Sequence, residues 1–110
     1  MELSNAASNH EDSPFTFILG QNDQTSARQK LNKTSAYMKA TSINGGAYSA
    51  RVTLENGTPV GQSTTIKLGQ GTKLRNYAVE TYGEGVYVRI KGSLTGGVNA
   101  ASGKWSPDSI

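Results

Sequence analysis

The sequence predicts an all-β fold, a single antiparallel β-sandwich or flattened barrel of about seven strands with a disordered N-terminal tail. Three observations carry that expectation. From Phe15 onward apolar and polar residues alternate with period two, glycine-rich turns interrupt the alternation, and no stretch holds the i, i+3, i+4 stripe of an amphipathic helix. With no segment free to serve as a crossover helix, neighbouring strands are expected to run antiparallel.

The elements follow in chain order. Residues 1–13 include Asn5, Ser8, Asn9, His10, Glu11 and Asp12 with almost nothing apolar, which predicts a mobile tail in front of a domain spanning residues 14–110. Phe15, Phe17 and Leu19 alternate with Thr16 and Ile18; because both faces are largely apolar, this strand is expected inside a sheet. Gly20 to Thr25 forms a turn. Ser26 to Met38 is the one stretch that competes as a helix, but Ala27, Leu31, Ala36 and Met38 do not line up on one face. Residues 34–42 alternate again, and so, most clearly, do Tyr48, Ala50, Val52 and Leu54 against Ser49, Arg51, Thr53 and Glu55. Asn44-Gly45-Gly46 between them is a tight-hairpin signal, since Asn and Gly accept the positive φ of a type I′ turn. Asn56-Gly57 is a second.

Thr64, Ile66 and Leu68 make the next strand, closed by Gly69-Gln70-Gly71. Residues 73–82 alternate through Tyr77, Val79 and Thr81, and Gly83-Glu84-Gly85 is expected to turn that strand into a hairpin with Val86, Val88 and Ile90. From Gly92 to Gly103 the chain loosens into Gly, Ser, Asn and Ala. Trp105 is the last apolar anchor, a plug closing the core rather than a platform for a sugar, before a stop at Pro107.

Composition sets the outer bounds. A chain of 110 residues suits one domain and buries roughly two thirds of its unfolded surface without help from metals or crosslinks. The formal charge is +3, but Glu2, Glu11 and Asp12 lie in the first twelve residues, which leaves +6 on residues 13–110. That balance favours anionic partners such as cell-wall polymers, lipid headgroups or nucleic acid without selecting among them. With no cysteine, disulfides, thiol nucleophiles and Cys-based metal sites are excluded. A small all-β chain without disulfides points to a bacterium. The Ser-Asn-Ala-Ala-Ser run near the start is typical of residues just past an export cleavage site, so a secreted protein whose signal peptide is gone is expected, with a native cytosolic start as the alternative. No run approaches the roughly 18 apolar residues of a transmembrane segment.

Motifs that carry chemistry are scarce. Glu2, His10, Glu11 and Asp12 are the only local group of metal-ligating types, on a segment with nothing to fix their geometry, so no metal and no other cofactor is expected. Paired-carboxylate hydrolysis has only Asp23, Glu55, Glu80, Glu84 and Asp108 to draw on, in turns, at the end of the chain or facing outward, and a Ser-His-Asp arrangement would have to recruit His10. No catalytic residue is assigned and no enzyme is expected. The glycine-rich turns lack the Gly-Lys-Ser/Thr that opens a phosphate-binding helix. Asn32-Lys33-Thr34 and Asn56-Gly57-Thr58 match the glycosylation pattern by chance in a bacterial chain.

One surface stands out as a candidate ligand-binding face: Tyr87, Arg89 and Lys91 share the outward side of a strand, with Lys73, Arg75 and Tyr82 expected on the strand before it. An aromatic beside cations binds glycans, anionic polymers or single-stranded nucleic acid through stacking and charge. Cations on an exposed strand also guard against edge-to-edge pairing.

The ending Gly103-Lys104-Trp105-Ser106-Pro107-Asp108-Ser109, with Phe15-Thr16-Phe17-Ile18 and Gly69-Gln70-Gly71, resembles a family of small exported β-sandwich proteins of Gram-positive bacteria. The resemblance implies a signal peptide, no disulfides and no assigned activity. More distantly the chain is similar to the lactococcin-type bacteriocins, which are shorter and richer in His, Tyr and Trp, so no functional residue carries over from them. The expected function is that of a non-enzymatic exported protein binding at or outside the cell envelope, its partner a cell-wall or envelope component or another protein, with no specific nucleic acid; a bacteriocin-like secreted antimicrobial is the alternative.

Overall fold

The computed structural model describes residues 8–109, and these form two four-stranded sheets and one short helix. In chain order the elements are β1 (Ser13–Ile18), β2 (Arg28–Lys30), β3 (Ala36–Asn44), β4 (Tyr48–Leu54), β5 (Thr64–Ile66), β6 (Thr72–Leu74), α1 (Ala78–Tyr82), β7 (Val86–Ser93) and β8 (Ala100–Ser106). The first sheet has the order β1-β8-β3-β6 and the second β2-β7-β4-β5, with all strand pairs antiparallel. The architecture is therefore the expected sandwich, open rather than closed into a barrel, with eight strands among the described residues instead of about seven.

The inward side chains of the two sheets meet in one core. Phe17, Met38, Val52, Ile66, Leu74, Ile90 and Trp105 are essentially inaccessible to solvent, each worth about 1.5–3 kcal/mol of burial. Trp105 is 1% exposed, so it is the core plug the sequence suggested. Phe17 reaches across from β1 to meet Tyr48 edge-on, ring centroids 5.9 Å apart, and burial pushes the Tyr48 hydroxyl well above the usual phenol range. Two glycines make room. A Cβ at Gly92 in β7 would stand 2.6 Å from the Phe17 ring, and one at Gly103 in β8 would stand 2.0 Å from the Lys39 carbonyl oxygen, beside the bulge where the β3–β8 register shifts.

Five expectations are corrected. The first strand is not inside a sheet: Phe15 and Phe17 enter the core while Ile18 and Leu19 stay exposed, and β1 is an edge. Asn44-Gly45-Gly46 is not a hairpin, because β3 and β4 belong to different sheets; Gly45 carries the chain between them at φ 131°, with Val98 so close that a Cβ would touch it at 3.0 Å. Residues 73–82 do not form one strand. The Asn76 side chain accepts a hydrogen bond from the Ala78 amide, and α1 then buries the adjacent pair Ala78 and Val79, which a strand would send to opposite faces. Gly83 ends that helix by bonding back to the Val79 carbonyl, so Gly83 to Gly85 is a helix terminus, not a hairpin turn. Finally, the loose stretch 92–103 supplies the end of β7 and the start of β8, a central strand.

The Trp-Ser-Pro-Asp-Ser ending closes the molecule through a buried ion pair. Lys30 and Asp108 are both 0% exposed, with Nζ 2.9 Å from Oδ1. The ammonium also donates to the carbonyls of Thr34 and Pro107, while the Asp108 carboxylate accepts from the amides of Asn9 and Leu31 at 2.9 Å and of Asn32 at 3.4 Å. Arg28 lies over the Trp105 ring at 5.4 Å and bonds the Trp105 carbonyl and the Asn9 side chain; burial pulls its pKa below the ordinary arginine value, against Glu11, Asp12 and Asp108, which raise it. Of the expected tail, residues 1–7 lie outside the described residues, Asn9 is held by this network and Ser13 opens β1. Residue 110 lies outside them as well.

Candidate anion-binding face

β7 alternates as its sequence demands. Val88 and Ile90 point into the core, and Tyr87, Arg89 and Lys91 share the outer face of the second sheet. The structure thus brings the three expected site residues together. It also removes the edge-guarding explanation for their charge, because β7 lies between β2 and β4 and has no free edge.

The three are not equivalent. Tyr87, opposite Gln29 of β2, is 48% exposed. Arg89 is half-buried: Nη1 donates to the Gln24 side chain at 2.7 Å, and buried Nε has no hydrogen-bond partner. Lys91 is exposed and reaches Asp23 at 2.8 Å, a contact solvent screens strongly. Lys73, Arg75 and Tyr82 do not join them. Lys73 is on β6 in the other sheet, Arg75 follows it, and Tyr82 ends α1.

A cation the sequence reading did not assign takes their place. In the β4–β7 register Arg51 stands directly opposite Lys91, Ser49 opposite Ser93 and Thr53 opposite Arg89. Like charges facing each other across a sheet repel. Here they flank a groove of about 300 Å³ whose lining includes Ser49, Arg51, Ser63, Lys91 and Ser93 and contains no Asp or Glu. Arg51 is aimed by Ser63, whose hydroxyl oxygen accepts from Nε at 3.2 Å and Nη2 at 3.0 Å. A guanidinium, an ammonium and several hydroxyls therefore converge on one open space, an arrangement suited to an anion carrying oxygen acceptors. Arg51 was visible as an outward residue of its strand, but its pairing with Lys91 depends on a register set forty residues away.

Other chemistry finds less support in the geometry. Among the described residues no three or more His, Cys, Asp or Glu gather where they could hold a metal ion. Lys30 and Asp108, the one buried ion pair among the described residues, direct their bonds to neighbouring segments of the fold and serve it. No helix among the described residues is long and apolar enough to cross a membrane.

Fold and face together define a small antiparallel β-sandwich without cysteine that presents a basic, hydroxyl-lined groove. Residues 3–109 match the family described as "Protein of unknown function (DUF2712)", and the chain belongs to that family. No curated protein and no solved structure matches it.

Proposed function

We propose that this is a non-enzymatic, exported protein of a Gram-positive bacterium that binds an anionic component at or outside the cell envelope. The observation that supports the reading best is the opposition of Arg51 and Lys91 over a groove with no acidic lining. Lys91 already meets Asp23, but that contact is exposed and solvent-screened, and an anion between Arg51 and Lys91 offsets their mutual repulsion more fully. Tyr87 adds an exposed ring on the same face for a neighbouring sugar or polyol. The export reading draws on the absence of cysteine and on the resemblance of the Trp-Ser-Pro-Asp-Ser ending to exported proteins.

The test is a pull-down with isolated Gram-positive cell wall, membrane vesicles and single-stranded DNA at low and physiological salt. Retention on wall that survives physiological salt is expected, with Arg51→Gln plus Lys91→Gln losing most of it while the melting temperature stays within a few degrees. Equal retention of parent and double variant removes this face from the function, and no retention on any of the three removes the binding reading.

A further inference from the structure

Ser63, at one side of the groove on the second sheet, stands at the border of a second cavity. That residue also lines a larger hollow of about 690 Å³ beside the edge strands β5 and β6, whose walls include Gln62, Thr64, Lys73, Arg75 and Tyr77. A second joint links the two: the Tyr77 hydroxyl donates to the carbonyl of Pro59, a residue of the first groove, at 3.4 Å. The spacing is fixed by backbone contact, since the Tyr77 amide bonds the Val60 carbonyl at 2.9 Å and a Cβ at Gly61 would lie 2.4 Å from the Arg75 oxygen.

The charges in the hollow are available. Lys73 in β6 and Arg75 just past its end both line the hollow and are exposed, and neither side chain has a hydrogen bond or ion pair among the described residues. No Asp or Glu lines the hollow. Cations therefore stand at one end (Lys91), at the junction (Arg51 on Ser63) and at the other end (Lys73, Arg75), with hydroxyls and amides between them.

We infer that groove and hollow form one continuous track for a linear polymer whose phosphodiester groups are joined by polyol units. The inference rests on the proposed envelope-binding function and specifies its ligand. A compact anion needs one cluster of cations, whereas cations distributed along a bent path suit repeated charges on one chain, each contact raising the effective concentration of the next. The lining separates polyol from nucleobase. Stacking along single-stranded nucleic acid needs successive aromatic platforms, and Tyr77 is the only aromatic on the track. Ser49, Ser63, Thr64 and Ser93 suit hydroxyl-bearing units instead.

The experiment measures binding of glycerol phosphate, poly(glycerol phosphate) and an oligothymidylate of equal charge to the parent, to Arg51→Gln/Lys91→Gln and to Lys73→Gln/Arg75→Gln. All substituted side chains are on the surface, and thermal melts confirm that the variants fold. The polymer is expected to bind the parent far more tightly than the monomer, and each double variant is expected to lose about tenfold or more in polymer affinity. If the Lys73/Arg75 variant binds polymer within twofold of the parent while the Arg51/Lys91 variant does not, the continuous track is wrong and the envelope-binding reading survives. If the parent retains cell wall but not poly(glycerol phosphate), or binds the oligothymidylate as tightly at physiological salt, the polyol-phosphate assignment is wrong. Failure of the parent to bind any of these or cell wall overturns both readings.

Discussion

Replacing Asp108 by alanine is expected to be among the most damaging single changes in the molecule. Removing one partner of a buried ion pair costs about 3–5 kcal/mol because the other charge is left uncompensated. Asp108→Ala strands the Lys30 ammonium with only the Thr34 and Pro107 carbonyls, and it also takes the acceptor from the Asn9 and Leu31 amides. These amides are only part-buried, but each bond lost to a charged acceptor is worth about 1.5–3 kcal/mol, so the loss belongs at the top of the range, about 5 kcal/mol. Lys30→Met leaves a carboxylate that still accepts those amide bonds, so about 3 kcal/mol is expected. Lys30→Met with Asp108→Ala removes both charges and is expected to lose less than the sum of the two single changes, a coupling of about 2 kcal/mol or more. Urea unfolding at neutral pH measures all four corners of this cycle, with Trp105, the only tryptophan and 1% exposed, reporting the transition. Single variants that each lose less than about 1 kcal/mol, or a double variant that loses the sum of the two, would refute the argument.

Three further outcomes are expected. Gly103→Ala should cost more than Gly92→Ala, about 3 against about 1–2 kcal/mol, because the first drives a methyl into backbone and the second into a ring that can shift; denaturation of both variants decides the order. Stability should fall as pH rises above about 10: the unfolded chain then releases the Tyr48 proton that the folded chain retains, so it binds fewer protons, and the Tyr48 contribution approaches about 1.4 kcal/mol per pH unit. Tyr48→Phe should lack that part of the slope, and identical alkaline curves for the two proteins would rule out this contribution. Arg28→Ala should cost about 1–2 kcal/mol by removing the cation over Trp105 and the bond to its carbonyl, with a shift in Trp105 emission that a purely remote effect would not give.

The fold class was legible because most strands carry their burial pattern within themselves: β7 sorts its alternate positions to core and solvent, and β4 does so from Tyr48 to Val52, after which Thr53 is buried as well. What escaped was carried by other residues. β8 reads Ala-Ala-Ser-Gly-Lys-Trp-Ser, too poor in large side chains to announce a central strand, yet smallness lets it pack between β1 and β3, as Gly103 shows. The Asn-Gly-Gly signal is chemically the same whether the chain returns to its own sheet or crosses to the other, so sequence does not separate the two. The outward face of Tyr87, Arg89 and Lys91 was visible from alternation alone. Arg51 opposite Lys91, and Lys30 with Asp108, depend on register between distant segments, which no local pattern encodes.

The position of β8 also has a meaning in time. β1 forms its ladder with β8, and β3 has β8 as its principal partner, so the first sheet has no centre until residues 100–106 are available, and the Lys30 ammonium has no counter-charge until Asp108 arrives. During synthesis most of the polypeptide therefore emerges before this half of the sandwich can assemble. The first strand thus waits for β8, whereas the second sheet, β2-β7-β4-β5, has all its strands by residue 93, so the two halves of the sandwich become possible at different moments and the first sheet is the later of the two.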